Sequence, residues 1–420
     1  MLSFLKWFFG LFSPYVNLFE RKVDKFFRNI KSTSSFADVK GELLSLMQQD
    51  LIVTNVWLEK KYKGYKYLDK KTRRKMYADV QEMVKKFQEH CVSNNFDETQ
   101  IRAEVQNVGA IFPDGDNGKM AYLSQIKSFL EPEKYYHYIK TASFGKLLRD
   151  PNKEKLEGDC NQIVTLYIYL FSLKFPIENL NIKLLPEHVC LHFRSIDVEC
   201  TNATFAKYPE DDQILPVTEI ISTNLLDLAD FREEVQTISQ REMVKSAQLA
   251  YSISSLKSLV EKNLNIAYKN LAISSLKISD FATAVFYFTQ ANDREGLKNT
   301  YHNAAVYYLK QNNFSKAYYY ANQSSESDLA KTVKRNEAVY NYNSGSLERA
   351  MTLFRELSDN EMLKACYAKQ YNEVQKQVAN VRTVEQAKSK KSVYQKMLEL
   401  AQKMGDSPLE NSVRDTLNKL

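Results

Sequence analysis

Glycine and proline are scarce in this chain of 420 residues, at 11 and 9. That shortage argues against a turn-rich all-β fold and favours long helices. The five cysteines, Cys91, Cys160, Cys190, Cys200 and Cys366, are odd in number and form no CxxC pair. Neither a disulfide framework nor a zinc ribbon is expected from them, and a reducing compartment, the cytoplasm, fits best. The apolar run at the start, Leu2, Phe4, Leu5, Trp7, Phe8, Phe9, Leu11 and Phe12, is broken by Ser3, Lys6 and Gly10. It falls well short of the ~20 apolar residues that span a bilayer. A basic leader and a small-residue cleavage site are also missing, which speaks against a secretory signal. Two readings of Met1–Val16 stand: a helix packed on the body of the protein, or an interfacial anchor that makes the protein membrane-associated.

What is present is ordinary for a folded chain. Hydrophobic residues make up 44% and charged residues 26%, which argues against wholesale disorder. The length exceeds one compact domain, so two or three units are expected. The net charge of +7 identifies no partner by itself.

From Ala37 to about Asn94 the pattern is helical. Leu43, Leu44, Met47, Leu51, Val53 and Trp57 make one apolar stripe; Met76, Val80, Met83, Val84 and Phe87 make another. Between them, Lys60–Lys75 holds nine basic residues and one acid, with Tyr62, Tyr65 and Tyr67 interleaved. This is either a solvated face or a patch for an anionic membrane surface. No nucleic-acid-binding motif accompanies it, so nucleic acid is not the expected partner. The turn cluster Phe112–Gly118 suggests a boundary, and a helix follows near Tyr122–Leu130.

The segment from Gly158 to Thr204 changes character. Cys160–Phe175 reads as a buried helix, and Ile182–Leu185, Val189–Phe193 and Ile196–Cys200 as short strands, the last two a hairpin. A cysteine in the first turn of a helix meets the positive end of the helix dipole, which favours thiolate. The hairpin is expected to set His188 opposite Glu199 and His192 opposite Asp197, each pair on one face. Cysteine, imidazole and carboxylate then have the makings of a triad. His188, Cys190 and His192 also project from one face, but residues two apart on a strand are too spread to chelate easily. No metal or other cofactor is expected.

These residues resemble the transglutaminase-like superfamily of papain-type cysteine enzymes over roughly 120–210: Gly158-Asp-Cys160 opening a helix, a strand led by His188, then Glu199-Cys-Thr201. The resemblance implies Cys160 as nucleophile, His188 as base, and Glu199 as the acid where the family has Asp-Pro-Thr, with Asp197 the alternative. It implies acyl transfer: amide hydrolysis or transfer on a peptide or protein. The rival reading is a non-catalytic scaffold whose domain has lost activity.

After about Asp227 the chain is helical again and repeats. Ala272, Ala305 and Ala338 stand 33 residues apart; so do Phe281, Phe314 and Leu347, and Ala284, Ala317 and Ala350. Turn-forming pairs recur at Ser279-Asp280, Asn312-Asn313 and Gly345-Ser346. This spacing resembles the tetratricopeptide repeat over about 265–360, without that repeat's helix-ending proline. Helices over Met243–Val260, Met362–Val378 and Val393–Met404 are expected to cap the stack. The resemblance implies a groove for a protein or peptide, with Lys269, His302 and Arg335 in one row, Lys277, Lys310 and Asn343 in a second, and Ile273, Val306 and Val339 between. Pairing such repeats with a transglutaminase-like domain resembles a bacterial architecture.

The expected fold is α+β and mostly helical, in three parts: a helical region over 1–100, a small antiparallel-sheet domain over 101–226, and a helical repeat stack over 227–420.

Overall fold

Several helices begin where the sequence supplies an acceptor for the first, unpaired backbone N–H groups. Ser35 and Asp38 form a reciprocal capping box, Asp69 accepts from Thr72 N–H, and Asp159 accepts from Asn161 and Gln162 N–H. The structure, a computed structural model, describes residues 13–31, 34–94, 97–141, 143–209, 213–227 and 238–420. The expected anchor over Met1–Val16 lies largely outside the described residues. Its last part, Tyr15, packs its ring 5.0 Å from Trp57 and donates to Asp24 Oδ2 at 2.6 Å.

Contacts divide the chain into two compact units, Met1–Leu271 and Ala272–Leu420. The first opens with helices α1 (Leu18–Asn29), α2 (Phe36–Leu58), α3 (Lys70–Ser93), α4 (Glu98–Asn107) and α5 (Asn117–Phe129). Strand β1 (Tyr136–Tyr138) pairs in parallel with β2 (Leu156–Gly158), which runs straight into α6 (Cys160–Ser172). Then come β3 (Asn181–Leu185), β4 (His188–Phe193), β5 (Ile196–Glu199), β6 (Thr204–Ala206) and β7 (Ile214–Pro216). They form one antiparallel sheet in the order β6-β5-β4-β3-β7. Helices α7 (Glu219–Leu226), α8 (Gln240–Ile253) and α9 (Lys257–Lys277) follow, and the division between units falls within α9.

Every residue of α6 from Gln162 to Phe171 is buried, as its near-continuous apolar sequence requires. It lies against β4 on one side and against α2 and α5 on others. One hydrophobic core runs from Val23 to Val260, so the expected boundaries at 100 and 226 fall inside it. The helix expected over Met243–Val260 is two helices, broken at Ser254–Leu256. The buried Glu219 carboxylate explains the break, because it accepts from the Ser254 and Ser255 hydroxyls, each at 2.6 Å, and from Ser255 N–H at 2.7 Å. The basic stretch is not one solvated face either. Lys63 is buried beside Glu59, and Arg73 is buried against Glu20.

The second unit is a stack of helix pairs. Helices α10 (Phe281–Gln290), α12 (Phe314–Gln323) and α14 (Leu347–Glu356) are short and 33 residues apart in sequence. They alternate with α11 (Arg294–Lys310), α13 (Ser327–Asn343) and α15 (Asn360–Lys376), on the same period. Both alanine columns are fully buried: Ala272, Ala305 and Ala338, and Ala284, Ala317 and Ala350, are all at 0% exposure. The turns repeat as well. Ser279, Asn312 and Gly345 take φ of 59, 54 and 86, and Asn292, Ser325 and Ser358 take 50, 60 and 55. Small or amide side chains stand at these left-handed positions because others pay a steric penalty there. Helices α16 (Val384–Ser389), α17 (Lys391–Met404) and α18 (Ser407–Asn418) close the chain, with α15, α17 and α18 sharing an apolar cluster around Tyr371, Met397 and Val413. Among the described residues no helix is long and apolar enough to cross a membrane.

Candidate active site

The cysteine is placed by the strand before it. Gly158 ends β2 where a Cβ would stand 2.8 Å from Leu147 Cγ, so a side chain there would have to displace Leu147 from the core. The Tyr136 hydroxyl donates to Gly158 O at 2.9 Å and fixes that carbonyl. Asp159 then caps α6 through Asn161 and Gln162 N–H. Cys160 is the first residue of the helix, and its N–H, being in the first turn, has no intrahelical acceptor. Its thiol side chain is partly exposed.

The imidazole is placed by two tight turns. Pro186-Glu187 joins β3 to β4 with Glu187 at φ 55, and Arg194-Ser195 joins β4 to β5 with Arg194 at φ 60. The register sets His192 opposite Asp197, as expected. It does not set His188 opposite Glu199. Continued, the same register would bring His188 to Thr201, and Glu199 is its diagonal neighbour. Long side chains bridge such diagonals, and His188 Nε2 lies 2.7 Å from Glu199 Oε2.

The Cys160 side chain is the largest influence on the ionisation of His188. Cys160, followed by the bond to Glu199, pushes His188 up to about 10, against the opposing effect of its burial. Burial pushes Glu199 up, but the bonds from His188, Thr201 and Tyr208 outweigh it and hold the carboxyl below its ordinary value. Thr201 donates its hydroxyl at 2.5 Å and its N–H at 3.3 Å to Oε1; the Tyr208 hydroxyl donates to Oε2 at 3.0 Å. Burial, then the bond to Glu199, pushes Tyr208 up to about 12, so it remains a donor at neutral pH. Cys160, His188 and Glu199 are therefore brought together. Asp197 is not in this chain of contacts: it accepts from His192 Nδ1 at 2.7 Å and from Lys183 Nζ at 3.2 Å. Thr201 follows from the Glu-Cys-Thr spacing, whereas Tyr208 and Lys183 carried no sequence signal beyond a charge inside an apolar strand.

Burial raises Cys91, Cys366, Cys190 and Cys200, the last two strongly. No three His, Cys, Asp or Glu side chains gather as a metal-ligand set among the described residues.

The cations expected to line a groove are distributed differently from one another. Lys269 belongs to the first unit, and Lys277, His302, Lys310 and Arg335 to the second. His302 Nδ1 lies 2.8 Å from Glu326 Oε2, and Arg335 lies 3.3 Å from Asp359. These two pairs are one contact repeated at the 33-residue period, a side chain of one long helix reaching the residue before the next. Lys277 and Lys310 are exposed.

No protein-family model matches the chain, and no curated protein matches it.

Proposed function

We propose that the first unit is a cysteine acyl-transfer enzyme of transglutaminase-like type, acting on an amide of a peptide or protein. The observation that carries this reading is His188, bonded to Glu199 through Nε2 at 2.7 Å and influenced most by Cys160, the first residue of a helix. A carboxylate in that place holds the ring's orientation and stabilises its protonated form. The imidazolium and the helix end both favour the thiolate. The thiolate attacks the amide carbonyl carbon, and the C–N bond breaks as His188 gives its proton to the leaving amine. Water or a second amine, deprotonated by His188, then attacks the thioester and returns the sulfur. Hydrolysis and transfer share every step up to the thioester.

The test is a covalent intermediate. Mixed with a peptide p-nitrophenyl ester and quenched in acid, the full-length protein is expected to release one equivalent of nitrophenolate in a burst. The acyl mass should map to Cys160 and be lost in Cys160→Ala. A burst retained in that variant would sink the assignment.

For the second unit we infer a tetratricopeptide-like stack that binds a peptide or protein segment. Exposed aromatic residues recur on its period, Tyr307 with Tyr340 and Phe286 with Tyr319, where a solvated surface has no need of them. Exposed Lys277 and Lys310 favour acidic flanks on the ligand. Lys277→Glu with Lys310→Glu is expected to cut capture of acidic peptides from a library by at least tenfold at unchanged helical content. Unaltered capture would put the binding surface elsewhere. Were the burst absent and capture intact, the protein would be a scaffold and not an enzyme.

A further inference from the structure

Beside the candidate triad lies a second buried polar group that the acyl-transfer chemistry does not use. Lys183 on β3, His192 on β4 and Asp197 on β5 are 1%, 7% and 1% exposed. Burying an ammonium and a carboxylate in the middle of a sheet costs more than an apolar pair would, so stability alone is a poor reason for it. Their remaining bonds all converge on one residue. Asp197 Oδ2 accepts from Tyr208 N–H at 2.7 Å, and Lys183 Nζ donates to Tyr208 C=O at 3.1 Å. Both backbone groups of Tyr208 are thereby held just beyond β6, where no strand ladder is left to hold them. From that anchored backbone the Tyr208 hydroxyl reaches Glu199 Oε2, the same oxygen that meets His188 Nε2.

We propose that Lys183 and Asp197 clamp the Tyr208 backbone, and that Tyr208 is a positioning residue which fixes and keeps ionised the carboxylate behind His188. His192 sets the Asp197 carboxylate through its other oxygen, at 2.7 Å. The groups that hydrogen-bond Glu199 are then His188 from β4, Thr201 from the turn after β5, and Tyr208 from the segment after β6. Cys190 on β4, Tyr167 on α6 and Cys200 also lie near it, and burial pushes all three up, so they stay neutral in the acid range of the test. Tyr208 is the one whose place depends on residues outside the triad. The proposal rests on the acyl-transfer reading, since it assigns a role toward Glu199 as the acid.

The test follows Cys160 alkylation by iodoacetamide against pH in the full-length protein. Without the hydroxyl, the Glu199 carboxylate is no longer fixed against His188, the imidazolium is held less well beside the sulfur, and Cys160 gives up its proton at higher pH. Tyr208→Phe is therefore expected to move the acid-side midpoint upward by roughly one pH unit, the effect of one lost hydrogen bond to a charged group. Lys183→Met should move it the same way, and the double variant no further. Native hydrogen exchange adds a measurement that needs no variant: the Tyr208 amide should be protected far more than that of Lys207. A wild-type midpoint unchanged in Tyr208→Phe would overturn the positioning role. An unprotected Tyr208 amide would overturn the clamp, even if Lys183→Met does not fold. A wild-type Cys160 with no acid-side midpoint below that of ordinary thiols would instead sink the acyl-transfer reading itself.

Discussion

At pH 6, iodoacetamide should alkylate Cys160 about 10 to 100 times faster than Cys91 or Cys366. A free thiol of pKa ~8.5 is only about 0.3% thiolate at that pH, and a lower pKa gives back part of the gain in thiolate as weaker nucleophilicity. Burial pushes the thiols of Cys91 and Cys366 up. The advantage comes from the protonated imidazole. His188 is held up to about 10 by Cys160 and by its bond to Glu199, so it remains charged across the neutral range. Because the folded value is raised above the ordinary 6.5, the stabilisation it contributes is complete below about 6.5 and lost as pH rises toward about 10. His188→Ala should erase the rate advantage at pH 6, and Glu199→Gln should reduce it. Neither should alter alkylation of the urea-unfolded chain. Equal rates at all accessible thiols in the wild type would leave the helix end and the histidine without chemical consequence.

The parts of this fold that were legible in sequence are those with a local period. The 33-residue columns show in sequence because each alanine is a place where two helices must touch, and every one of them is fully buried. The turn residues were legible for a similar local reason: a left-handed φ admits few side chains, and Ser, Asn and Gly stand at those steps. The candidate triad was legible only as an order of residue types. Its register differs from the expected one, since His188 cannot face Glu199 in a hairpin where His192 faces Asp197; the diagonal bond is what unites the two expectations. Lys183 and Tyr208 were not legible at all. Lys183 meets Asp197 and Tyr208 across three strands, and their meeting is set by a sheet order that no periodicity encodes. Glu219 hides in the same way: its partners at Ser254 and Ser255 lie 35 and 36 residues on and break a helix that periodicity alone would continue.

The same kind of hidden pairing makes Arg73 the most consequential single residue of the basic stretch. Its Nε lies 2.8 Å from Glu20 Oε1, and its other nitrogens donate to Leu68 O at 2.6 Å and Pro14 O at 2.7 Å. The guanidinium sits over the Trp57 ring at 5.2 Å, and Glu20 also accepts from the Tyr77 hydroxyl at 2.7 Å. Arg73 is 2% exposed and Glu20 0%, so neither charge has water to fall back on. Arg73→Met strands a buried carboxylate and two backbone carbonyls, and should destabilise the protein by about 3–5 kcal/mol. Glu20→Met strands the guanidinium and should cost about as much. The double replacement should cost clearly less than the sum, with a coupling of about 2 kcal/mol or more, because no lone charge is left in the core. Urea unfolding followed by tryptophan fluorescence measures this, with Trp57 beneath the guanidinium as a local reporter. A loss below about 1 kcal/mol for Arg73→Met would mean a solvated guanidinium. Arg73 would then rejoin Lys61, Lys66, Lys71, Arg74 and Lys75 on the exposed part of that stretch.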